Sequence, residues 1–503
     1  MLQLRIIRYG GVAAAGLLAV SAGLGGALPH GDLASTPVSV FRGPHGGLVL
    51  AAWLVGTVGL SYAWWVARDR MPSSRWAVVT ALLWSAPFLL VPPMGSRDVY
   101  SYACQGHLFL NGLSPYQYGV ATLPCPWIDA VSPIWRDTAA PYGPLFVLLA
   151  AGAVWLGGSL AGVVTLFRLV AAIGVITIAV CLPFLARRCG VPAERALWLA
   201  LAGPVVGPHI IGGPHNDALM IALVVAGLAL TAGSERPAAR LGAGVLLGLA
   251  AAVKITSVVI LPFAALIALR QVTGRGPAVG AATRLLAAAS GAFIAVTAAS
   301  GLGIGWTAGL VHTRDLVQFT SPPTAIGMTL TYVGQGFTSR FDAVPAVRVL
   351  ALGLLAVVLA GLWLRCAREV DNAVPAALHG AALAVAATVV LAPSVHPWYV
   401  FAPLVLLAAT THRTVPVMMA AMAGSLLVLP DGGGLARFAK FPGAPLMTVL
   451  IVVLLVRHVR LPAAALAPRR NPAQMHPAGT VSRAAPALPQ PQWRPPRRRR
   501  EGR

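Results

Sequence analysis

Charge is scarce in this chain. Asp, Glu, Lys and Arg make up 10% of its 503 residues, and only 14 are acidic against 37 basic. A soluble domain carries about a quarter charged residues, so a water-soluble globular protein is excluded. Cysteine is sparse too, five in all, and no C-x-x-C pair occurs, which removes a cysteine-built metal site. Alternation of apolar and polar residues with period two is missing from the apolar stretches, and with it the case for a transmembrane barrel.

What remains is hydrophobic: 57% of the residues, gathered in runs of about 15 to 22, each long enough to cross a hydrocarbon core of roughly 30 Å as a helix. Lipid cannot satisfy open backbone groups, so the runs must be helical. The fold class is therefore all-α, a polytopic membrane protein. The net charge of +23 invites a nucleic-acid reading, but the arginines cluster in short loops between apolar runs and in the tail. Cationic loops stay in the cytoplasm and face anionic lipid, so membrane lipid is the expected partner and nucleic acid is not.

Loop charge gives a topology. With Arg5 and Arg8 inside, the run from about Tyr9 to Leu28 goes out, as a signal anchor or a signal peptide. Leu48 to Val66 returns to Arg68, Arg70 and Arg75, and Trp76 to Pro92 goes out again. The run Leu145 to Trp155 breaks the alternation if it spans, so it is read as an interfacial or re-entrant helix on the outer side. About 14 crossings follow, with both termini cytoplasmic, and only Arg437 and Lys440 fall on the wrong side. Four regions are expected: N-terminal transmembrane helices over 1–94, an outer-face catalytic loop with interfacial helices over 95–160, a transmembrane core over 161–461, and a disordered basic cytoplasmic tail over 462–503.

The stretch from Gly95 to Leu145 is a polar, Tyr- and Trp-rich island within this apolar chain. It holds Asp98 beside Arg97. A carboxylate at the lipid boundary is costly unless solvated or paired. Asp98 is therefore either a helix N-cap or a general base for an acceptor hydroxyl. Cys104 and Cys125 share the island and can form a disulfide in an oxidising compartment. Its Tyr102, Tyr116, Trp127, Trp135, Arg136 and Tyr142 suit sugar binding, or packing of the loop on the membrane.

Three further segments fall on the same outer face. In GGPHND, His215, Asn216 and Asp217 open a helix whose free N–H groups suit an anion, or form an Asx-type cap. Lys254 lies between two short apolar runs, either in a pinched site or snorkelling from a hairpin. In PSVHPWY, His396 sits at a Pro-fixed turn where it can donate to a phosphate or relay a proton, with Trp398 as interface anchor or sugar contact.

DVYSYACQG, NGLSPYQYG, WRDTAAPYGPL, GGPHNDALM, VKITSVVILPF and LAPSVHPWY, in this order from about Asp98 to Tyr399, resemble the actinobacterial polyprenol-phosphate-mannose-dependent α-(1→6)-mannosyltransferases of lipomannan synthesis, the initiating type more than the extending one. The resemblance implies a GT-C glycosyltransferase fold with an outer-face loop and juxtamembrane helices, in the plasma membrane, with its active site extracytoplasmic. It implies polyprenyl-phosphate mannose as donor and a mannosylated glycolipid as acceptor. Asp98 would be catalytic. Lys254, His215, His396 and Arg97 would bind donor phosphate, and Tyr102, Tyr116, Arg136, Tyr142, Asn216, Asp217 and Trp398 would bind sugar. Many relatives carry two adjacent acids where this chain has Asp98 alone, so a metal-independent reaction without cofactor is expected, a divalent cation staying open. The alternatives are an arabinofuranosyltransferase on the same scaffold and a lipid-linked sugar flippase.

Overall fold

A computed structural model describes residues 2–31, 36–312 and 316–465. Among them no strand forms, and a lone antiparallel bridge joins Val428 to Gly434. The helices are α1 (Leu2–Gly25), α2 (Pro37–Arg42), α3 (Gly46–Ala67), α4 (Ser74–Ser85), α5 (Asp98–Leu110), α6 (Pro144–Gly157), α7 (Leu160–Arg188), α8 (Ala193–Leu201), α9 (Asp217–Gly233) and α10 (Pro237–Val253). They continue with α11 (Leu261–Arg270), α12 (Arg275–Ser300), α13 (Trp306–His312), α14 (Pro322–Gly334), α15 (Val344–Arg368), α16 (Ala373–Val390), α17 (Phe401–Thr410), α18 (Val415–Leu426), α19 (Leu435–Phe438) and α20 (Lys440–Ala465). The chain forms one compact unit over Met1–Ile451 and a second over Val452–Arg503. The basic tail expected beyond 462 lies, from 466 on, outside the described residues.

The fold is that of an all-α polytopic membrane protein. Among the described residues seven helices are long and apolar enough to span: α1, α3, α7, α12, α15, α16 and α20 through Arg457; an eighth span arises if the bent pair Val206–Gly212 and α9 counts as one. Their outer faces carry exposed aliphatic side chains, such as Ile173 and Val180 on α7 and Val349, Leu350 and Val357 on α15, the surface a helix presents to lipid. Fourteen crossings overcounts the long helices. The other apolar runs fold as shorter pieces, α6, α10, Ile255–Arg270, Pro397–Thr410 and α18. At 14 residues, α6 reaches only about 21 Å, as expected for a run that does not cross.

Three of the short pieces, α10, Ile255–Arg270 and Pro397–Thr410, adjoin breaks in the helical backbone, and the breaks fall where the sequence places glycine, proline or a polar side chain. Val206–Gly212 winds as a π-helix and α9 leaves it at 100°, across GGPHND. Lys254 interrupts α10 with an extended backbone (φ −152°, ψ 114°) before a 3₁₀ turn over Ile255–Ile260. His396 is likewise extended before Pro397 starts another such turn. Non-helical backbone at membrane depth persists only inside protein or against a polar cavity, so these breaks mark where such a cavity must be.

Close approach between helices uses small residues, as packing in lipid requires. A Cβ on Gly248 of α10 would lie 2.1 Å from the Ala289 carbonyl oxygen of α12, and one on Gly106 of α5 would lie 2.4 Å from that of Ala150 on α6. The disulfide Cys104–Cys125, with Cα atoms 5.3 Å apart, ties the island back onto α5. Trp64 and Trp198 lock α3 to α8 by donating to each other's backbone carbonyls at 3.2 and 3.0 Å.

One buried cation serves the breaks directly. Arg168 of α7 donates to the carbonyl oxygens of Leu89 (3.1 Å), Val91 (2.5 Å) and Gly212 (3.2 Å), satisfying acceptors that interrupted helices leave open. Arg168→Met removes these donors and leaves the carbonyls buried. We predict a stability loss of about 3 kcal/mol, read by thermal unfolding in detergent; an unchanged melting temperature would show that water replaces the guanidinium.

Candidate active site

Asp98 opens α5, but the N-cap position belongs to Arg97, whose side chain makes no capping bond, and the Asp98 N–H donates to the Ser96 hydroxyl at 3.1 Å. The Asp98 carboxylate is instead turned to a junction of two cavities, both lined by Asp98, Trp135, Leu316 and His396. Burial pushes its pKa from the usual carboxylate range up to about 6, despite hydrogen bonds from Ser96 and Trp135 and the positive charge of Lys254. It is thus a carboxylate at neutral pH, held close to the pH at which it takes up a proton.

The first cavity is edged by Ser96, Arg97, Gln318, Trp398, Asp431 and the Gly432–Gly434 turn. The second combines polar and apolar lining. Asp217, Lys254, Ser394 and Tyr399 stand with Asp98, while Met220 and Val224 of α9, Ile255 and Ile260 after Lys254, and Val385 and Val389 of α16 supply apolar wall. All three helix breaks therefore open onto one place.

Lys254 does not snorkel outward. Its ammonium donates to both Asp217 oxygens, at 2.8 and 3.0 Å, and lies 4.1 Å from the centre of the Tyr399 ring. The pair spans α9 and the break after α10, with side chains only 4% and 13% exposed. Asp217 thereby shares with Lys254 the place where a phosphate would have to compete for the ammonium.

His215 packs beneath Asp98. Its ring stacks on Trp398 at 3.9 Å, and Nδ1 lies 3.7 Å from Asp98 Oδ2 and 3.4 Å from the Tyr102 hydroxyl. His396 also lies parallel to Trp398, at 4.8 Å, and lines both cavities. Burial first, and Lys254 second, bring the His396 pKa down to about 4, so it is neutral at pH 7 and offers one N–H rather than a charge.

The sequence-proposed residues divide accordingly. Asp98, Lys254, Asp217, His396, Tyr142, Trp398 and Arg97 line the cavities. Arg97 at the same time donates through Nη1 to the carbonyls of Leu28 and Ala130. Tyr102, Tyr116, Arg136, His215 and Asn216 line neither cavity. Tyr102 is enclosed edge-on by Tyr142 and Phe146, and Tyr116 donates to the Tyr142 carbonyl at 2.8 Å, holding the ring that does reach the cavity. Arg136 braces the island through the carbonyls of Val131 and Asp129. Asn216 is buried, with no hydrogen-bond partner for either amide atom among the described residues. Trp135, one of the island aromatics expected to suit sugar, lines both cavities. Tyr399 lines the second cavity but stands outside the expected set; its only sequence signal is an aromatic beside a Pro-fixed turn, which a membrane anchor gives equally well. Among the described residues no group of three or more His, Cys, Asp or Glu side chains converges to hold a metal ion.

Comparison with known proteins agrees with this architecture. Residues 8–270 match the family model for the α-(1→6)-mannopyranosyltransferase N-terminal domain, and residues 323–457 that for the MptB C-terminal domain. The chain is 33% identical over 440 residues to α-(1→6)-mannopyranosyltransferase A of Mycobacterium tuberculosis, covering 83% of this chain and 84% of that protein. It is 34% identical over 470 residues to a probable α-(1→6)-mannopyranosyltransferase of Mycolicibacterium smegmatis (84% and 83% covered), and 28% identical over 435 residues to α-(1→6)-mannopyranosyltransferase B of Corynebacterium glutamicum (81% and 72%). No solved structure matches. Two family models in tandem, relatives aligned over more than four fifths of the sequence, and an all-helical membrane body place this chain in the α-(1→6)-mannopyranosyltransferase family, among the glycosyltransferases.

Proposed function

We propose that this enzyme moves mannose from a polyprenyl-phosphate mannose to the 6-hydroxyl of a mannose in a membrane glycolipid, with inversion, on the extracytoplasmic face. The observation that carries the reading is the meeting of two unlike cavities at one carboxylate. One joins apolar wall to the Lys254–Asp217 pair, as a prenyl chain with its phosphate requires; the other is edged by polar groups and an aromatic ring, as a sugar requires.

The acceptor hydroxyl gives its proton to Asp98 while its oxygen attacks the anomeric carbon. The bond from that carbon to the phosphate oxygen breaks on the opposite side, so a β-linked donor yields an α product. Polyprenyl phosphate departs with one more negative charge than it carried as the diester. Lys254 and the His396 N–H stand where that charge develops, and fixed donors in a dry site act most strongly there. Phosphate is a good leaving group, so no general acid is needed and the step asks for no metal. The Cys104–Cys125 pair supports the extracytoplasmic side, since such bonds persist in oxidising compartments. The initiating role keeps its support from motif resemblance alone.

Membranes bearing the protein, given radiolabelled mannosyl-phosphopolyprenol and a short α-(1→6)-mannoside, should extend the acceptor through a new α-(1→6) bond. A different linkage would overturn the substrate assignment. The rate should also depend on pH. Asp98 acts as a base only when ionised, so transfer falls as pH drops through about 6 and levels off above it. A rate flat from pH 5 to 8 would remove Asp98 from the proton transfer.

A further inference from the structure

A third cavity lies apart from Asp98, an open cleft between α14, α15 and the start of α20. It gathers Arg340, Arg348 and Lys440, with Asp342 as its acid. Asp342 is engaged locally, accepting from the Val344 N–H at 2.9 Å. Arg348 is buried, donating to Thr324 Oγ1 at 2.9 Å and the Leu316 carbonyl at 2.6 Å. Arg340 and Lys440 are exposed, and neither has an ion-pair partner among the described residues. Lys440 is also one of the two cations that loop charge leaves on the wrong side of the membrane. A cation retained there against the charge bias calls for an anion to meet it.

The rest of the lining mixes polar Thr331, Gln335 and Ser339 with an open apolar wall, in which Val349 and Leu352 of α15 are 68% and 49% exposed. The cleft adjoins the transfer site. Pro393 lines both it and the apolar cavity, and Val317 lies between Leu316 and Gln318, which line the cavity junction and the polar cavity.

We propose that this cleft binds the phosphate-bearing headgroup of the acceptor's lipid anchor, with Arg340 and Lys440 as the cationic clamp and the Val349–Leu352 face against the first carbons of its chains. A glycolipid of few sugars whose terminal residue reaches Asp98 rests its lipid end close by, and this cleft combines positive charge with apolar wall beside the polar cavity. The assignment rests on the transfer reading given above.

The test is binding, which does not depend on turnover. Wild-type protein and the Arg340→Gln/Lys440→Gln double variant, both in nanodiscs of neutral lipid, are titrated with a glycerophospholipid carrying α-mannose through its phosphodiester, and with octyl α-(1→6)-dimannoside, which has no phosphate. At roughly a fivefold contribution from each cation near a lipid phosphate, the double variant should bind the phospholipid mannoside about 25-fold more weakly and the octyl glycoside unchanged. Unchanged affinity for both ligands overturns the proposal. So does a loss that phosphatidylglycerol, carrying no mannose, reproduces and competes for, since the site would then hold bulk anionic lipid. A wild type that binds as expected yet transfers no mannose would refute the transfer reading and leave the cleft as a site for a mannosylated phospholipid that is not an acceptor.

Discussion

Asp98→Asn should lower mannosyl transfer by about 10²- to 10⁴-fold while donor binding stays within about twofold of wild type. The substitution is nearly isosteric, and its amide oxygen still accepts the hydrogen bonds that Ser96 and Trp135 give the carboxylate, so the loss reads the chemistry and not the fold. Asp98→Glu separates base strength from placement. It keeps the carboxylate but carries it about 1.5 Å further into a junction walled by Trp135 and His396, so activity should fall between the two. The measurement is single-turnover transfer at saturating donor, with melting temperature as the control for folding. Wild-type rates in Asp98→Asn would leave the carboxylate no part in the reaction.

The second large effect concerns the ion pair. Lys254→Met strands the Asp217 carboxylate in a setting where its side chain is only 4% exposed. Breaking a buried pair by removing one partner costs about 3–5 kcal/mol, whereas replacing both with apolar groups of similar size is often neutral. The single variant should therefore unfold at a clearly lower temperature, and Lys254→Met/Asp217→Leu should recover most of the loss. Activity should behave differently. The double variant has no ammonium for the departing phosphate, so stability returns and transfer does not. Recovery of both together would make the pair purely structural, and the phosphate site would have to be sought elsewhere.

Much of the fold could be read from the chain because its causes are local. Run length and the scarcity of charge dictate membrane helices, and the Gly, Pro and polar clusters at GGPHND and PSVHPW dictate where those helices break. The expectation that the run forming α6 does not cross rests on loop charge together with the run's own shortness, its terminal glycines and its PYGP start. Facing was harder to read. Spans that are apolar all round, such as α9 or α16, carry no polar stripe from which to infer an inward side, so the pairing of Lys254 with Asp217, 37 residues apart, left no trace in spacing. The same holds for Arg168, whose three carbonyl partners come from two separate breaks.

In the island, composition could not separate rings that line a cavity from rings that hold others in place. Tyr142 and Tyr116 look equivalent as sequence. Only the fold puts one at the cavity and the other behind it, with its hydroxyl on the first one's backbone.

The transfer mechanism depends on the anomeric carbon of the donor being delivered to Asp98 from the apolar side. The most direct test is a structure of the protein with a non-transferable phosphonate analogue of the polyprenyl mannose donor. The account predicts the phosphonate against Lys254 in the second cavity, the prenyl chain running along Met220, Val224 and Val385, and the mannose facing Asp98 across the junction. A phosphonate bound away from Lys254, or a sugar that never comes within reach of Asp98, would contradict it.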